Sequence, residues 1–421
     1  MMLTLTEADR ACLGGEFGRA AQLAMSILVR MAEVYGAASL LDIEQAHIDS
    51  TIYVGDAGLE FAERLVGLGA RVVVPATSNV TGVDEHHWQE WAVPPRWAEQ
   101  ARRQMAAYRS MGCIPTWTCA PYQSELRPRF GQQIAWGESS AIVFANSVIG
   151  ARTERYPDLL DICCALTGRA PAAGLHLTES RAGQLLMQLE NVPLALQESD
   201  TFYTVLGYLM GQLAEERVPV VAGMDTTPTE DQLKALGATA ASSGRVALFH
   251  MVGVTPEAPT LEAALQGRQP QLAVAVGENE LRAAWRKLST ADGSGLDMVV
   301  LGSPHFSLPE FARLTPLLEG QHRHRDVQFL VTTSRGIRLL AERAGYVDAL
   351  REFGGRLTVD TCILATPMLP PDVKRIMTNA GKFAYYAPGL VGTDVAFGSL
   401  ADCVHSAVEG RVTRGDPLWP G

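Results

Sequence analysis

The sequence predicts an α/β fold of more than one region, with mostly parallel sheets flanked by helices. Three observations carry this expectation. Through the second half, short β-branched runs alternate with helix-period segments, the pattern of a parallel sheet with crossover helices. The segments that follow those runs are polar, as at the ligand-binding carboxyl edge of such a sheet. At 421 residues the chain is longer than one hydrophobic core usually serves. The expected division is an N-terminal α/β region, 1–210, and a C-terminal one, 211–421.

Thr6 is placed as the N-cap of a first helix that breaks at Gly14-Gly15. From Gly18, the apolar positions Ala21, Leu23, Ala24, Ile27, Leu28, Met31 and Ala32 keep a helical period until Gly36. Ala46–Ser50 reads as a strand, Leu59–Val66 as a helix closed by Gly67 and Gly69, and Arg71–Pro75 as a buried strand. Trp88–Arg129 is rich in Trp, Pro and Arg and shows no period. Ala141–Ala145 fits a helix or a strand, and Pro157–Leu166 reads as helical. Strands are then expected at Val218–Val221, Val246–Phe249, Leu272–Val276, Met298–Leu301, Phe329–Val331 and Leu357–Val359. Helices are expected at Thr229–Leu236, Glu278–Leu288, Leu308–Leu318 and Gly336–Phe353.

Net charge is -11. Without a basic patch a nucleic-acid footprint is not expected. No apolar run approaches the ~20 residues of a membrane span, and the N-terminus lacks the apolar core of a signal peptide. Seven cysteines without such a signal point to a reducing, cytoplasmic compartment rather than to disulfides.

Cys119, in Pro115–Tyr122, and Cys362, in Val359–Cys362, stand at the ends of apolar runs beside Thr, Asp and Pro. Thiolates so placed suit iron or an iron–sulfur cluster, although a buried cysteine with no ligand role fits the same positions. Cys403 opens an expected helix, where a thiol is acidified or is simply buried. Cys12, Cys113, Cys163 and Cys164 read as small core hydrophobes.

Ser334-Arg335, after one strand and before a helix, makes an anion site or an N-cap with a solvated arginine. Lys382 is a lone cation in apolar company, suited to anion binding or proton transfer. Two polar clusters, Asn146-Ser147 with Arg152-Thr153 and His47 with Thr77-Ser78-Asn79, are further candidates. No P-loop, Cys-x-x-Cys or zincin motif occurs, and Gly67-Leu68-Gly69 precedes a strand where a dinucleotide fingerprint would follow one.

Several segments together resemble the large catalytic subunit of aconitase X. They are Glu16–Gly18, Ala46–Ile48, Gly55–Phe61, Val74–Asn79, Thr118–Tyr122, Gly137–Ala141, Phe144–Thr153, Gly302–Ser307, Thr332–Arg335, Asp360–Cys362 and Thr378–Lys382. The resemblance runs over almost the whole chain, and Phe144–Thr153 and the Gly58 region are its most specific stretches. It implies an aconitase-like, multi-domain hydro-lyase with an iron–sulfur centre, 2Fe–2S in type, as Lewis acid. The implied reaction is dehydration of cis-3-hydroxy-L-proline to 1-pyrroline-2-carboxylate, with mevalonate 5-phosphate as the alternative substrate. A non-catalytic α/β binding protein and a zinc or mononuclear-iron lyase are the other classes open.

The resemblance also implies a small swivelling-domain subunit as partner, for which the chain, stopping at Gly421, leaves no room. In the wider superfamily a Ser of that domain is the base. Some members carry Cys where this chain has Ser303, so the expected metal ligands become Cys119, Cys362 and Cys403. Lys382, Ser334 and Arg335 are the expected catalytic residues. The substrate, a small carboxylate, is expected to meet His47, Thr77, Ser78, Asn79, Ser139, Asn146, Ser147, Arg152 and Thr153.

Overall fold

A five-stranded sheet organises the C-terminal third of the chain. The computed structural model describes residues 3–123 and 126–419, so Pro420 and Gly421, where the sequence reading places the chain's end, lie outside it. Strands run in the spatial order Arg356–Val359, Gln328–Thr333, Met298–Phe306, Arg375–Thr378, Asp394–Phe397, all parallel. Counted along the chain this order is 3-2-1-4-5, so the sheet reverses direction between Met298–Phe306 and Arg375–Thr378. Such a reversal opens a crevice at the carboxyl ends of the two strands.

Three further sheets precede it. Ala76–Ser78, Ala46–Ile48 and Ala135–Trp136 make a small parallel sheet. His250–Met251, Pro219–Ala222, Leu185–Leu189 and Leu272–Val276 make a four-stranded parallel one. Leu40–Asp42 pairs antiparallel with Arg169–Pro171. The architecture is therefore mixed α/β with mostly parallel sheets flanked by helices. Helices Asp200–Ala214 and Glu230–Gly244 pack beside the four-stranded sheet with Phe202, Leu206, Leu233 and Leu236 in the core.

Local differences from the sequence expectation have physical causes. Arg71–Pro75 is not a buried strand: the backbone bends at Val73-Val74, Val73 is 64% exposed, and pairing begins only at Ala76. The amides of Val72 and Val73 instead donate to Met111 and Ala165 carbonyls. Val246–Phe249 likewise carries no pairing of its own, and the strand is the short His250–Met251 that follows it. Ala141–Ala145 is helical, because Glu138 caps Ser139–Phe144 through the Ala141 amide at 2.8 Å. Gly336–Phe353 splits into Arg335–Arg343 and Tyr346–Phe353, broken at Gly345 with φ +80°. The Trp-rich middle contains a long helix, Pro95–Ser110, started by a proline in its first turn.

A bulge shapes the crevice. Leu301 pairs with Val331, but Phe306 pairs with Thr333, so five steps on one strand match two on its neighbour. Gly302 has φ +95°, and a Cβ there would lie 2.1 Å from the Thr332 carbonyl oxygen; glycine is required. Ser303, Pro304 and His305 consequently leave the ladder.

Candidate active site

The carboxyl edges of the five-stranded and three-stranded sheets face each other across a cavity of about 160 Å³. Asp49, Asn79 and Glu138 enter it just beyond the three short strands. Ser303 and His305 of the bulge, Cys362 and Lys382 enter from the opposite wall. The walls are laced together: the Thr81 amide donates to the Asp360 carbonyl at 2.6 Å, and the Thr361 hydroxyl donates to the Thr81 carbonyl at 3.2 Å.

Charge in the cavity is concentrated in one ion pair. Lys382 Nζ lies 2.5 Å from Glu138 Oε1, with both side chains nearly inaccessible. Burial opposes the charge on each. For Glu138 the Lys382 ammonium outweighs it, helped by donors from Ser140 and Ala141, and holds the carboxyl below its ordinary value. For Lys382 the Glu138 carboxylate and nearby thiols likewise outweigh burial and hold the ammonium. Asp49 behaves oppositely. Burial, then the negative charges of Glu138 and Asp161, push its carboxyl up to about 8, although Asn79 Nδ2 donates to its Oδ1. Asp161 sits behind it, accepting from the amides of Asp49 and Ser50 and from the Ser50 hydroxyl.

Two thiols, Cys119 and Cys362, line the same cavity. Burial pushes the Cys119 thiol up to about 12, against the pull of Lys382; Cys362 is raised for the same reason. Both are proton-bearing until something displaces the proton, as a bound metal does. The two thiols, with the Ser303 hydroxyl lining the same cavity, suit a thiophilic group held by two thiolates. Among the described residues no cluster of three or more Cys, His, Asp or Glu is arranged to hold a metal ion.

Cys403 does not join them. It is fully buried in the core of the five-stranded sheet with Val299, Phe311 and Met377, whereas Cys362 packs against a different cluster. Its place in the first turn of a helix is real, but the amphipathic period turns the thiol inward. Arg335 also misses the cavity. Its guanidinium meets Asp360 at 2.6 and 2.7 Å and Glu85 at 2.5 Å, and Arg109 shares Glu85. The resulting pull, against the cost of burial, lowers Glu85 to about 2. Ser334 caps the following helix through the Ile337 amide. Both line a separate surface groove with Thr77.

The cluster 146–153 is consumed structurally. Asn146 donates to the Thr153 and Ala247 carbonyls and accepts from the Thr153 amide and buried Arg181. Ser147 accepts from the Phe249 amide, Arg152 donates to His176 and Thr178, and Thr153 accepts from the Trp136 amide. His47 is buried behind the cavity, bonded to Thr77 at 2.8 Å and, by burial, lowered to about 4. Ser78 is buried beside Thr116. Of the expected substrate contacts Asn79 lines the cavity, and Ser139 touches it through Glu138 at 3.3 Å.

Asp49, Glu138, Ser303, His305 and Thr332 were not among the expected site residues. Glu138 had a signal, a carboxylate between an apolar dipeptide and a helix start. Asp49 was hidden because Ala46–Ser50 reads as one strand, whereas pairing stops at Ile48.

Family models described as the first, second and third domains of aconitase X match residues 2–179, 183–286 and 296–409. Cis-3-hydroxy-L-proline dehydratase of Pseudomonas aeruginosa is 49% identical over 414 residues, 98% of this chain and 71% of that protein. The enzyme of that name from Hypocrea jecorina is 45% identical, over 100% and 71%. The phosphomevalonate dehydratase large subunit of Methanocaldococcus jannaschii is 33% identical, over 94% and 98%. The crystal structure of Thermococcus kodakaraensis aconitase X in its holo-form superposes with a TM-score of 0.85 at 32% identity, covering 96% of this chain and 100% of that one.

Proposed function

This chain belongs to the aconitase X family and is a hydro-lyase, and we propose that it dehydrates cis-3-hydroxy-L-proline to 1-pyrroline-2-carboxylate. The C3–O and Cα–H bonds break, a C2=C3 double bond forms, and water leaves. The enamine then moves its nitrogen proton to C3 to give the imine.

The observation that carries the substrate is the charge of the cavity. Lys382 is the one cation among its described lining residues, and Arg335 is neutralised outside it by Asp360 and Glu85. One ammonium suits one carboxylate. A phosphorylated substrate needs a second basic group, which disfavours mevalonate 5-phosphate. The names of the relatives at 49% and 45% identity support the same choice.

Lys382 gives one N–H to Glu138 and has two more for the substrate carboxylate. Asp49 is the proton-moving group. Its carboxyl, pushed up to about 8, holds a proton at neutral pH, where a general acid is most effective. Asn79 occupies Oδ1, leaving Oδ2 to deliver that proton to the departing hydroxyl oxygen. Cys119 and Cys362 would hold an iron–sulfur centre of 2Fe–2S type, which supplies Lewis acidity at that hydroxyl.

A small partner subunit or domain closes the cleft and brings the base for the Cα proton. Support comes from the name "large subunit" of relatives matched over nearly their whole length. The two dehydratases of the same name extend beyond the matched 71% of theirs. The seven free thiols fit a reducing cytoplasm, and among the described residues no helix is long and apolar enough to cross a membrane.

The test is turnover after anaerobic loading with iron and sulfide, with and without such a partner. Water loss from cis-3-hydroxy-L-proline is expected. Turnover of mevalonate 5-phosphate in its place would reverse the assignment.

A further inference from the structure

We propose that His305 is a positioning residue that holds the Cys119 and Cys362 thiols in register with each other. The proposal rests on the reading that these two thiols bind a metal centre.

Three bonds from this one residue reach both thiol-bearing segments. Its backbone amide donates to Cys119 Sγ at 3.3 Å, a contact that favours thiolate over thiol. Its ring Nε2 lies 3.1 Å from the Thr361 carbonyl oxygen, one residue before Cys362. Its ring Nδ1 lies 3.0 Å from Thr118 Oγ1, one residue before Cys119. These contacts define the tautomer. A carbonyl oxygen only accepts, so Nε2 carries the hydrogen and Nδ1 is bare. The Thr118 hydroxyl therefore donates to Nδ1, while its lone pair receives the Ala120 amide at 3.1 Å. Both ring nitrogens of His305 and the Thr118 hydroxyl thus have partners, and the direction of each bond follows from the next.

Histidine suits the place because a neutral imidazole is a rigid spacer with a donor at one end and an acceptor at the other. At 2% exposure it is screened from water, so no solvent competes for either ring bond. The bulge at Gly302 brings it there: in a regular ladder, residue 305 would stay in register with its neighbour. The two cysteines are 243 residues apart in the sequence, and His305 ties their loops across the cleft.

Metal binding by the iron-free full chain tests this under anaerobic conditions, with Co²⁺ as the probe. The thiolate-to-cobalt absorption band gives both affinity and ligand number. Wild type is expected to show a two-thiolate band that Cys119→Ser and Cys362→Ser each diminish. His305→Phe keeps the ring volume and removes both ring bonds, and should weaken Co²⁺ binding about 10–100-fold. His305→Gln, which can place an N–H near the Thr361 carbonyl, should recover part of that loss. Thr118→Val, which removes the other arm and leaves His305 in place, should weaken binding less than His305→Phe and serves if the Phe variant does not fold. Wild-type affinity in folded His305→Phe, or in Thr118→Val should His305→Phe not fold, would overturn the proposal. Absence of any thiolate band in wild type would instead overturn the metal reading beneath it.

Discussion

Lys382 Nζ and Glu138 Oε1 meet at 2.5 Å across the cleft, one from the helix after strand Arg375–Thr378, the other from the cap after strand Ala135–Trp136. Removing one partner strands a buried charge. Lys382→Met and Glu138→Gln should each lower stability by about 3–5 kcal/mol. The double variant should lose much less than the sum. Urea midpoints of the four proteins decide it, and additive losses would mean that the pair is not coupled.

Asp49 should give the chain a pH-dependent stability. Unfolded, it titrates near ~3.9; folded, at about 8. Between those values the folded state binds more protons, so this contribution falls as pH rises and levels off above about 8. Asp49→Asn should remove that slope. Turnover should decline as pH passes about 8 and the acid ionises, and Asp49→Asn should cut kcat roughly 10²–10⁴-fold. Parallel stability–pH curves for the two proteins would contradict the assignment.

Arg335→Lys should act on stability and not on substrate binding. The lost fork to Asp360 is about a third exposed on the arginine side, so about 1–2 kcal/mol is expected. KM should stay within about twofold of wild type, since a group outside the cavity contributes no substrate contact. A large rise in KM with unchanged stability would return Arg335 to the substrate.

Cys119→Ser and Cys362→Ser should abolish iron and sulfide retention after reconstitution. Cys163→Ser and Cys403→Ser should retain both, because those thiols sit in apolar cores. Iron and acid-labile sulfide assays separate the cases. Loss of both from Cys403→Ser, in a protein that stays folded, would restore it as a ligand.

The repeating strand–helix pattern made the parallel sheets legible, since buried β-branched runs such as Met298–Leu301 have few alternatives. Cys119, Cys362, Lys382 and Asn79, all singled out from the sequence, come together in the lining of one cavity. Arg335 misled because an arginine at a helix start reads alike whether its partner is a ligand or Asp360, which is 25 residues away in the chain. Asn146–Thr153 misled for a related reason. A demanding hydrogen-bond network around Arg181 constrains a segment as tightly as a substrate does. His305 stands in a polar segment after a strand, but its role is not readable there because its partners, Thr118 and Thr361, come together only when the two sheets face each other.

The outpouching after Gly302 separates two design constraints that most strands combine. A side chain inside a ladder sets both pairing and chemistry, so altering one disturbs the other. Here the neighbouring backbone restricts position 302 to a single amino acid, while position 303, out of the ladder, faces the cavity. Exchanging the hydroxyl at Ser303 for another donor of similar size would leave every strand in step. The loop is thus a socket with interchangeable contents: this scaffold can alter the reactivity of its chamber at one position without refolding anything around it.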